Sequence, residues 1–372
     1  MLFTIKRDVF LKALARVQGI VEKRNTIPIL SNVLIEAREG EIELTATDLE
    51  VGMRASYPAE VKKPGKVTVS AKKIFEIIKE LPDGVVNINA KENCWIEISS
   101  GKAIFNIVGL SADEFPYFPE AEKSQFITLS SAVVSDLLEK TSFSISTDES
   151  KYNLNGIFFQ HVEVEGRQLL RLVATDGHRL ALIQRELEGT ETEELKKGVI
   201  FPKKGIFELR KIAEEGDSDI RLGFMENNAI IQKDQTVVIM RLVDGEFPDY
   251  TRVIPQTMDV FARIPKDTFF HALRRMAILS SEKSRGVKVH LRQGNMEISS
   301  SNPDLGDARE DLEIDYQGEE ITIGFNARYL LDILQVQKQE EISLQVKDNT
   351  SPGMITPVDD PDFLAVVMPM RL

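Results

Sequence analysis

VATDGHRLAL, residues 173–182, is the stretch on which the reading of the chain turns. Val173 and Ala174 close a mostly apolar run that begins at Leu169, interrupted by Arg171. Thr175, Asp176 and Gly177 supply turn chemistry, because Asp accepts from its own downstream backbone and Gly tolerates positive φ. His178 to Leu182 then restores polar–apolar alternation, so the stretch predicts strand, turn, strand. It also recurs. ATD stands at 46–48 and again at 174–176, and a looser SNPD ends at Asp304, so Asp48, Asp176 and Asp304 follow one another at intervals of 128 residues. Equal intervals predict three copies of one unit. A third of the 372 residues is 124, an ordinary domain length.

The pattern around each copy is strand, helix, strands, done twice. Val9, Phe10, Ala13, Leu14 and Val17 share one face of a helix over 6–19, and strands are expected at about 29–37, 41–48 and 51–61. KKIFEIIKE (72–80) predicts a second helix, stopped by Pro82-Asp83-Gly84. KKGIFELRKIAEE (203–215) answers it in the middle third, lysine pair included. Further helices are predicted from Ser130 or Ser131, over 266–279 and over 326–337, six in all. EFPYFPE (114–120) and EFPDYTRVIP (246–255) are matching proline-broken exits. The expected domains are 1–124, 125–258 and 259–372, and the expected fold class is α+β, helices packed on antiparallel sheets.

The composition is that of a globular chain, 42% apolar and 28% charged. No run approaches the roughly 18 apolar residues of a membrane helix, and MLFTIKRDVF has no apolar signal core, so a cytosolic protein is expected. The single cysteine, Cys94, excludes an intrachain disulfide framework and a thiolate metal cluster. Beside Trp95 in an alternating run, it is expected to be a small buried hydrophobe.

A net charge of −13 argues against nucleic acid at face value, but its distribution reverses the argument. The helix windows 6–19, 71–80, 130–140, 203–213, 266–277 and 326–338 carry 17 Lys and Arg against 8 Asp and Glu. They are therefore at +9, and the remainder is at −22. A surface built from such helices suits a phosphate backbone, where Lys and Arg displace condensed counterions. Solvated helix faces explain the same numbers equally well.

Catalytic motifs are missing. There is no Gly-rich phosphate loop, HExxH, GxSxG or kinase set. His161, His178, His271 and His290 lack metal-ligand spacing. Asp176 and His178 resemble a catalytic pair, but Asp48 and Asp304 hold equivalent places with no histidine two residues on, which fits a structural turn better. No enzyme activity, cofactor or metal is expected.

Taken together, ATDGHRLAL (174–182), EFPDYTRVIP (246–255), SEKSRGV (281–287), VVMPMRL (366–372) and IPILSN (27–32) resemble the β subunit of bacterial DNA polymerase III, the sliding-clamp family, over the whole chain. The resemblance implies a head-to-tail homodimeric ring of six domains, with helices lining the hole around double-stranded DNA and sheets outside. It implies a processivity factor whose partners are the polymerase catalytic subunit, the clamp loader, and other polymerases and repair proteins that dock through short linear motifs.

It also implies a partner-peptide pocket lined by Leu154, Thr175, Gly177, His178, Arg179, Leu180, Pro248, Arg252, Val253, Val366, Val367, Met368, Pro369, Met370, Arg371 and Leu372. Met368, Met370 and Leu372 are expected to alternate along a terminal strand and share one face. Ser284 stands where the family often has an aromatic, and Pro352 where a small polar residue is common. Sequence-blind DNA contacts are expected from Arg24, Lys12, Arg16, Lys72, Lys73, Lys79, Tyr152, Lys203, Lys204, Arg210 and Lys211, and a dimer contact from Phe105, Ile278 and Leu279. Two other classes compete: an enzyme acting on DNA from this scaffold, and an acidic scaffold protein that never touches DNA.

Overall fold

The computed structural model describes residues 1–21, 27–119, 125–187, 192–255, 261–281 and 285–371. They form two compact units, one of Met1–Ser131 with Phe207–Leu242, the other of Ala132–Ile206 with Val243–Leu372.

Seven α-helices occur among the described residues: α1 (Arg7–Val17), α2 (Ala71–Glu80), α3 (Ser131–Ser142), α4 (Glu193–Lys197), α5 (Lys203–Ala213), α6 (Lys266–Ala277) and α7 (Ala327–Gln335). Six are those the periodicity predicts. The seventh, α4, is too short to show a period and is held at its start by Thr192, whose side chain accepts from the Leu195 N–H. α1 buries Phe10, Ala13, Leu14 and Val17. It packs against α2, whose Ile74 and Ile78 are buried and whose N-cap is Ser70. α6 and α7 repeat that pairing with Phe269, Leu273 and Met276 against Leu330, Ile333 and Leu334.

Every strand pairing is antiparallel. The first unit carries a 13-stranded sheet running from Phe126–Leu129 to Glu60–Lys63. The second carries an 8-stranded sheet ending at Val199–Pro202 and Ala262–Pro265, and a 4-stranded one ending at Gly306–Glu313 and Ile321–Asn326. The repeat interval is visible in the sheets. Val51–Pro58 and Arg179–Glu186 are the same strand one interval on. The first pairs with Thr236–Arg241, the second with Phe363–Val367. The corresponding strand of the third copy, Gly306–Glu313, is the edge of its sheet.

The repeated turn explains the repeated sequence. In the first copy Asp48 Oδ1 accepts from the N–H groups of Glu50 (2.9 Å) and Val51 (2.7 Å). Thr47 Oγ1 accepts from Leu49 N–H (3.0 Å) and donates to the Val51 carbonyl (3.2 Å). Asp176 Oδ1 does the same for His178 (2.9 Å) and Arg179 (3.1 Å). Thr175 Oγ1 accepts from Gly177 (3.1 Å) and donates to Arg179 O (2.6 Å). The Thr-Asp pair is thus a backbone clamp, as the sequence suggested. The third copy has Pro303 in place of the threonine, and Asn302 caps its turn instead, accepting from Asp304 N–H at 3.0 Å.

One residue of the turn must be left-handed. Gly177 has φ +89° there, and Leu49 has φ +77° although it is 57% exposed. Left-handed backbone costs a side-chain-bearing residue about 1 kcal/mol or more. Leu49→Gly should therefore stabilise the chain by roughly 0.5–1 kcal/mol, read as a higher urea midpoint at unchanged slope. A lower midpoint would count against strain at this turn.

Two expectations need correcting. Cys94 is not a core residue. It sits at φ +61° in a turn closed by Lys91 N–H to Trp95 O (2.8 Å), half exposed, and the strand starts only at Trp95, itself 42% exposed. Nor do residues 29–31 belong to a strand, because Pro28 sets a 3₁₀ turn over Pro28–Ser31.

Two groups of buried charges show how networks hold them. Lys233, 4% exposed, closes the C-terminus of α5, donating to Ile212 O (3.0 Å), Gly216 O (2.9 Å) and Ser131 Oγ (2.8 Å). In the second unit Arg185 and Lys140 converge on Asp136 and Asp360. Burial alone would raise the Asp360 carboxyl, but hydrogen bonds from Arg185 and Lys140 outweigh it and hold the group below its ordinary value. A carboxylate depressed in the fold contributes stability above its unfolded value, about pH 4, and loses it as pH falls through the depressed one. Asp360→Asn should lower the melting temperature at pH 7, and the gap to the parent chain should close below about pH 4. A gap independent of pH would refute the assignment.

Candidate functional site

A cavity of about 280 Å³ opens in the second unit beside the Thr175–Arg179 turn. Three elements build it. The turn contributes Thr175, Gly177, Arg179 and Leu180. The exit segment contributes Pro248, Asp249, Tyr250 and Val253, the last two from a 3₁₀ turn whose start is capped by Asp249. The last strand and the residue after it contribute Val366 and Met368, with Leu154 completing the lining. Leu180 and Val366 face each other across paired strands, and with Val173, Leu182 and Tyr250 they form the apolar cluster under the cavity. Phe158 stacks on Phe247 at 4.9 Å beside it.

The repeat shows why the cavity can exist. One interval before Leu180 stands Gly52, and the exit aromatic matching Tyr250 is Phe118. In the first copy Phe118 lies directly on Gly52, where an added Cβ would come within 2.9 Å of the ring. In the second copy a leucine occupies that place, and both it and Tyr250 line the cavity.

Arg179 fixes the turn to its surroundings. It donates to Asp176 Oδ2 (3.1 Å), to Asp332 Oδ2 (2.6 Å) and to the Phe143 carbonyl, and its guanidinium lies 4.6 Å from the centre of the Tyr329 ring. His178 stacks on the same ring, and its carbonyl accepts from Met368 N–H at 2.9 Å. No helix of the described residues is long and apolar enough to cross a membrane, and none of their His, Cys, Asp and Glu side chains form a group able to hold a metal.

Of the sixteen expected pocket residues the cavity gathers nine: Leu154, Thr175, Gly177, Arg179, Leu180, Pro248, Val253, Val366 and Met368. His178, Arg252, Val367, Pro369, Met370 and Arg371 are not part of its lining, and Leu372 lies outside the described residues. Arg252 is exposed and paired with Asp249 at 2.8 Å. The terminal strand stops at Val367, so the expected Met368–Met370 alternation fails; Met370 N–H instead donates to Gly324 O at 2.8 Å. Asp249 and Tyr250 were not expected to line the pocket, although both stand in the quoted exit motif. Tyr329 and Asp332, one helical turn apart on α7, gave no sequence signal.

The expected DNA contacts are spread over helix surfaces. Lys12 and Lys79 are exposed, Lys203 and Lys204 half exposed, and Tyr152 is 60% exposed. Lys72 and Lys73 pair with Glu76, Arg210 with Glu214, and Lys211 with Glu208. Arg16 pairs with Glu215 and donates to Thr236 Oγ1 at 2.9 Å. Arg24 and Ser284 lie outside the described residues. Of the expected dimer contacts, Ile278 is 74% and Phe105 39% exposed, with Leu279 half buried.

Repeated units of paired helices on antiparallel sheets, with an apolar cleft at one repeat boundary, define a clamp-type fold. The chain matches the models of the DNA polymerase III beta subunit N-terminal domain over residues 1–119, central domain over 128–249 and C-terminal domain over 251–371. It is 37% identical to the beta sliding clamp of Caulobacter vibrioides and 36% to that of Escherichia coli, each over the full length of both chains. Among solved structures it is similar to the Caulobacter crescentus beta sliding clamp (TM-score 0.95, 37% identity) and to a Bartonella birtlesii sliding clamp bound to griselimycin (TM-score 0.94, 38% identity), with both chains fully covered in each case. The chain belongs to the DNA polymerase III beta subunit family, the bacterial sliding clamps. Its function is that of a non-catalytic processivity factor in DNA replication.

Proposed function

We propose that two copies of the chain, each divided into domains at 1–124, 125–258 and 259–372, close head to tail into a ring around duplex DNA in the cytosol. In this reading the helix cations named above touch phosphates without reading sequence. The cavity beside Leu180 and Met368 takes short apolar motifs from the polymerase, the clamp loader and repair proteins.

The observation that carries the ring is an unmatched pair of strand edges. The second copy's Thr236–Arg241 sits on the first copy's Val51–Pro58, and the third copy's Phe363–Val367 sits on the second's Arg179–Glu186. Continuing the pattern leaves Gly306–Glu313 without a successor and Ala103–Leu110 without a predecessor. Gly306–Glu313 ends its sheet, and along Ala103–Leu110 only Gly109 and Leu110 pair with the strand Gly65–Ser70. Ile104 (64%) and Val108 (59%) are exposed on that strand. Edges of this kind are templates for another chain, and two such heterologous contacts close a two-fold ring.

Ile278, at the end of α6, belongs to the helix that packs on Gly306–Glu313. Ile278→Ala with Leu279→Ala should give folded monomers at sub-micromolar concentration by light scattering. An intact dimer at that concentration would remove this contact from the seam.

A further inference from the structure

The cavity's aromatic wall is held from behind by a chain of polar groups that ends well away from the cavity lining. Tyr250, 9% exposed, accepts at its hydroxyl from Arg171 Nη1 (3.3 Å) and donates to Gln160 Oε1 (3.3 Å). Arg171 directs its other two nitrogens to one acceptor: Nε and Nη2 reach Gln184 Oε1 at 3.0 and 2.7 Å. Gln184 is itself fixed at its far end, where Nε2 donates to Asp362 Oδ1 (2.9 Å) and the backbone N–H to the Asp362 carbonyl (2.9 Å). That leaves its Oε1 no orientation but toward Arg171. Asp362 is in turn gripped by both terminal nitrogens of Arg167 at 3.1 Å. None of Arg171, Gln184, Asp362 and Arg167 lines the cavity.

We propose that Arg171 is a positioning residue of the peptide pocket: its planar fork, oriented by Gln184 and Asp362, holds the Tyr250 ring where a bound apolar side chain rests. The inference builds on the pocket reading given above. A forked guanidinium suits the task because it presents its donors in one rigid plane, whereas an ammonium is a point donor. A ring fixed in the free protein removes an ordering cost that binding would otherwise carry. The loss should therefore fall on the residence time of the ligand, as pocket changes usually do.

The test uses full-length protein and a fluorescein-labelled peptide carrying a glutamine and a leucine-phenylalanine anchor. Affinity is read by anisotropy, dissociation by stopped flow and folding by thermal melts. Arg171→Met should weaken binding about tenfold, the scale of one hydrogen bond to a charged group, with the change in the dissociation rate. Tyr250→Phe, which removes a single oxygen, should do the same. The double variant should be no worse than Tyr250→Phe alone, because Arg171 acts on the pocket through the Tyr250 hydroxyl, which that variant removes along with its bond to Gln160. Arg171→Lys should not recover the parent's affinity. Parent-like binding by Arg171→Met, or additive losses in the double variant, would overturn the proposal while leaving the pocket standing. If Arg171→Met does not fold, Arg171→Lys decides in its place: weakened binding supports the proposal, and parent-like binding overturns it. A parent chain that ignores the peptide would overturn the pocket and this inference together.

Discussion

A chain carrying Val253→Asp and Met368→Asp should fold, dimerise and fail to hold its partners. Both side chains line the cavity and are about two-fifths exposed, at 40% and 37%, so the fold tolerates a polar replacement. Bound ligand would desolvate the new carboxylates, and the cation of the lining, Arg179, already holds Asp176 and Asp332, so the cost far exceeds the lost apolar contact. Hot-spot truncations typically remove about 2 kcal/mol each, on the order of thirtyfold; the two charges together should remove more than about a hundredfold. The labelled peptide, the polymerase and the clamp loader should lose binding in parallel. A chain ending at Val367 should behave the same way, although it also loses the Met370 bridge to Gly324. Partner affinity within threefold of the parent's in the double variant would place the docking site elsewhere.

The second large effect is topological. Several helix cations are shared with carboxylates three or four residues away, including Lys73 with Glu76, Lys211 with Glu208 and Arg210 with Glu214. Paired cations release fewer counterions on meeting phosphate, so the grip on short linear duplex should be weak and fall steeply with salt. Protein loaded on a closed circle should stay through salt that strips the linear fragment, and leave when a restriction enzyme cuts the circle. Equal loss from circle and fragment would mean that surface charge alone, and not enclosure, retains the protein.

Much of this was legible in the residues because the chain repeats itself. Asp48 and Asp176 identified the turn, and the turn proved to be the same five-residue clamp in both copies. Helix faces such as Phe10, Leu14 and Val17 were readable because a 3.6 period survives in eleven residues. Cys94 misled because alternation was extended one residue too far, into a turn whose only sign was Asn93. Met370 misled because two-residue periodicity holds only while a strand lasts, and Pro369 ends it. Tyr329 and Asp332 were invisible for a different reason. Their contacts to His178 and Arg179 span some 150 residues of sequence, and nothing local in NARYLLDIL distinguishes a residue that meets a distant turn from one that meets water.

The two unmatched strand edges also make the chain a monomer with unlike ends, in the sense a polymer chemist would use. Such a unit has two products, a closed cycle or an open filament, and the choice rests on the rotation from one unit to the next rather than on the strength of the joint. If the proposed seam is right, substitutions at Ile104 or Ile278 should yield free chains. An open filament in place of the proposed cycle would show as fibres that lengthen with concentration.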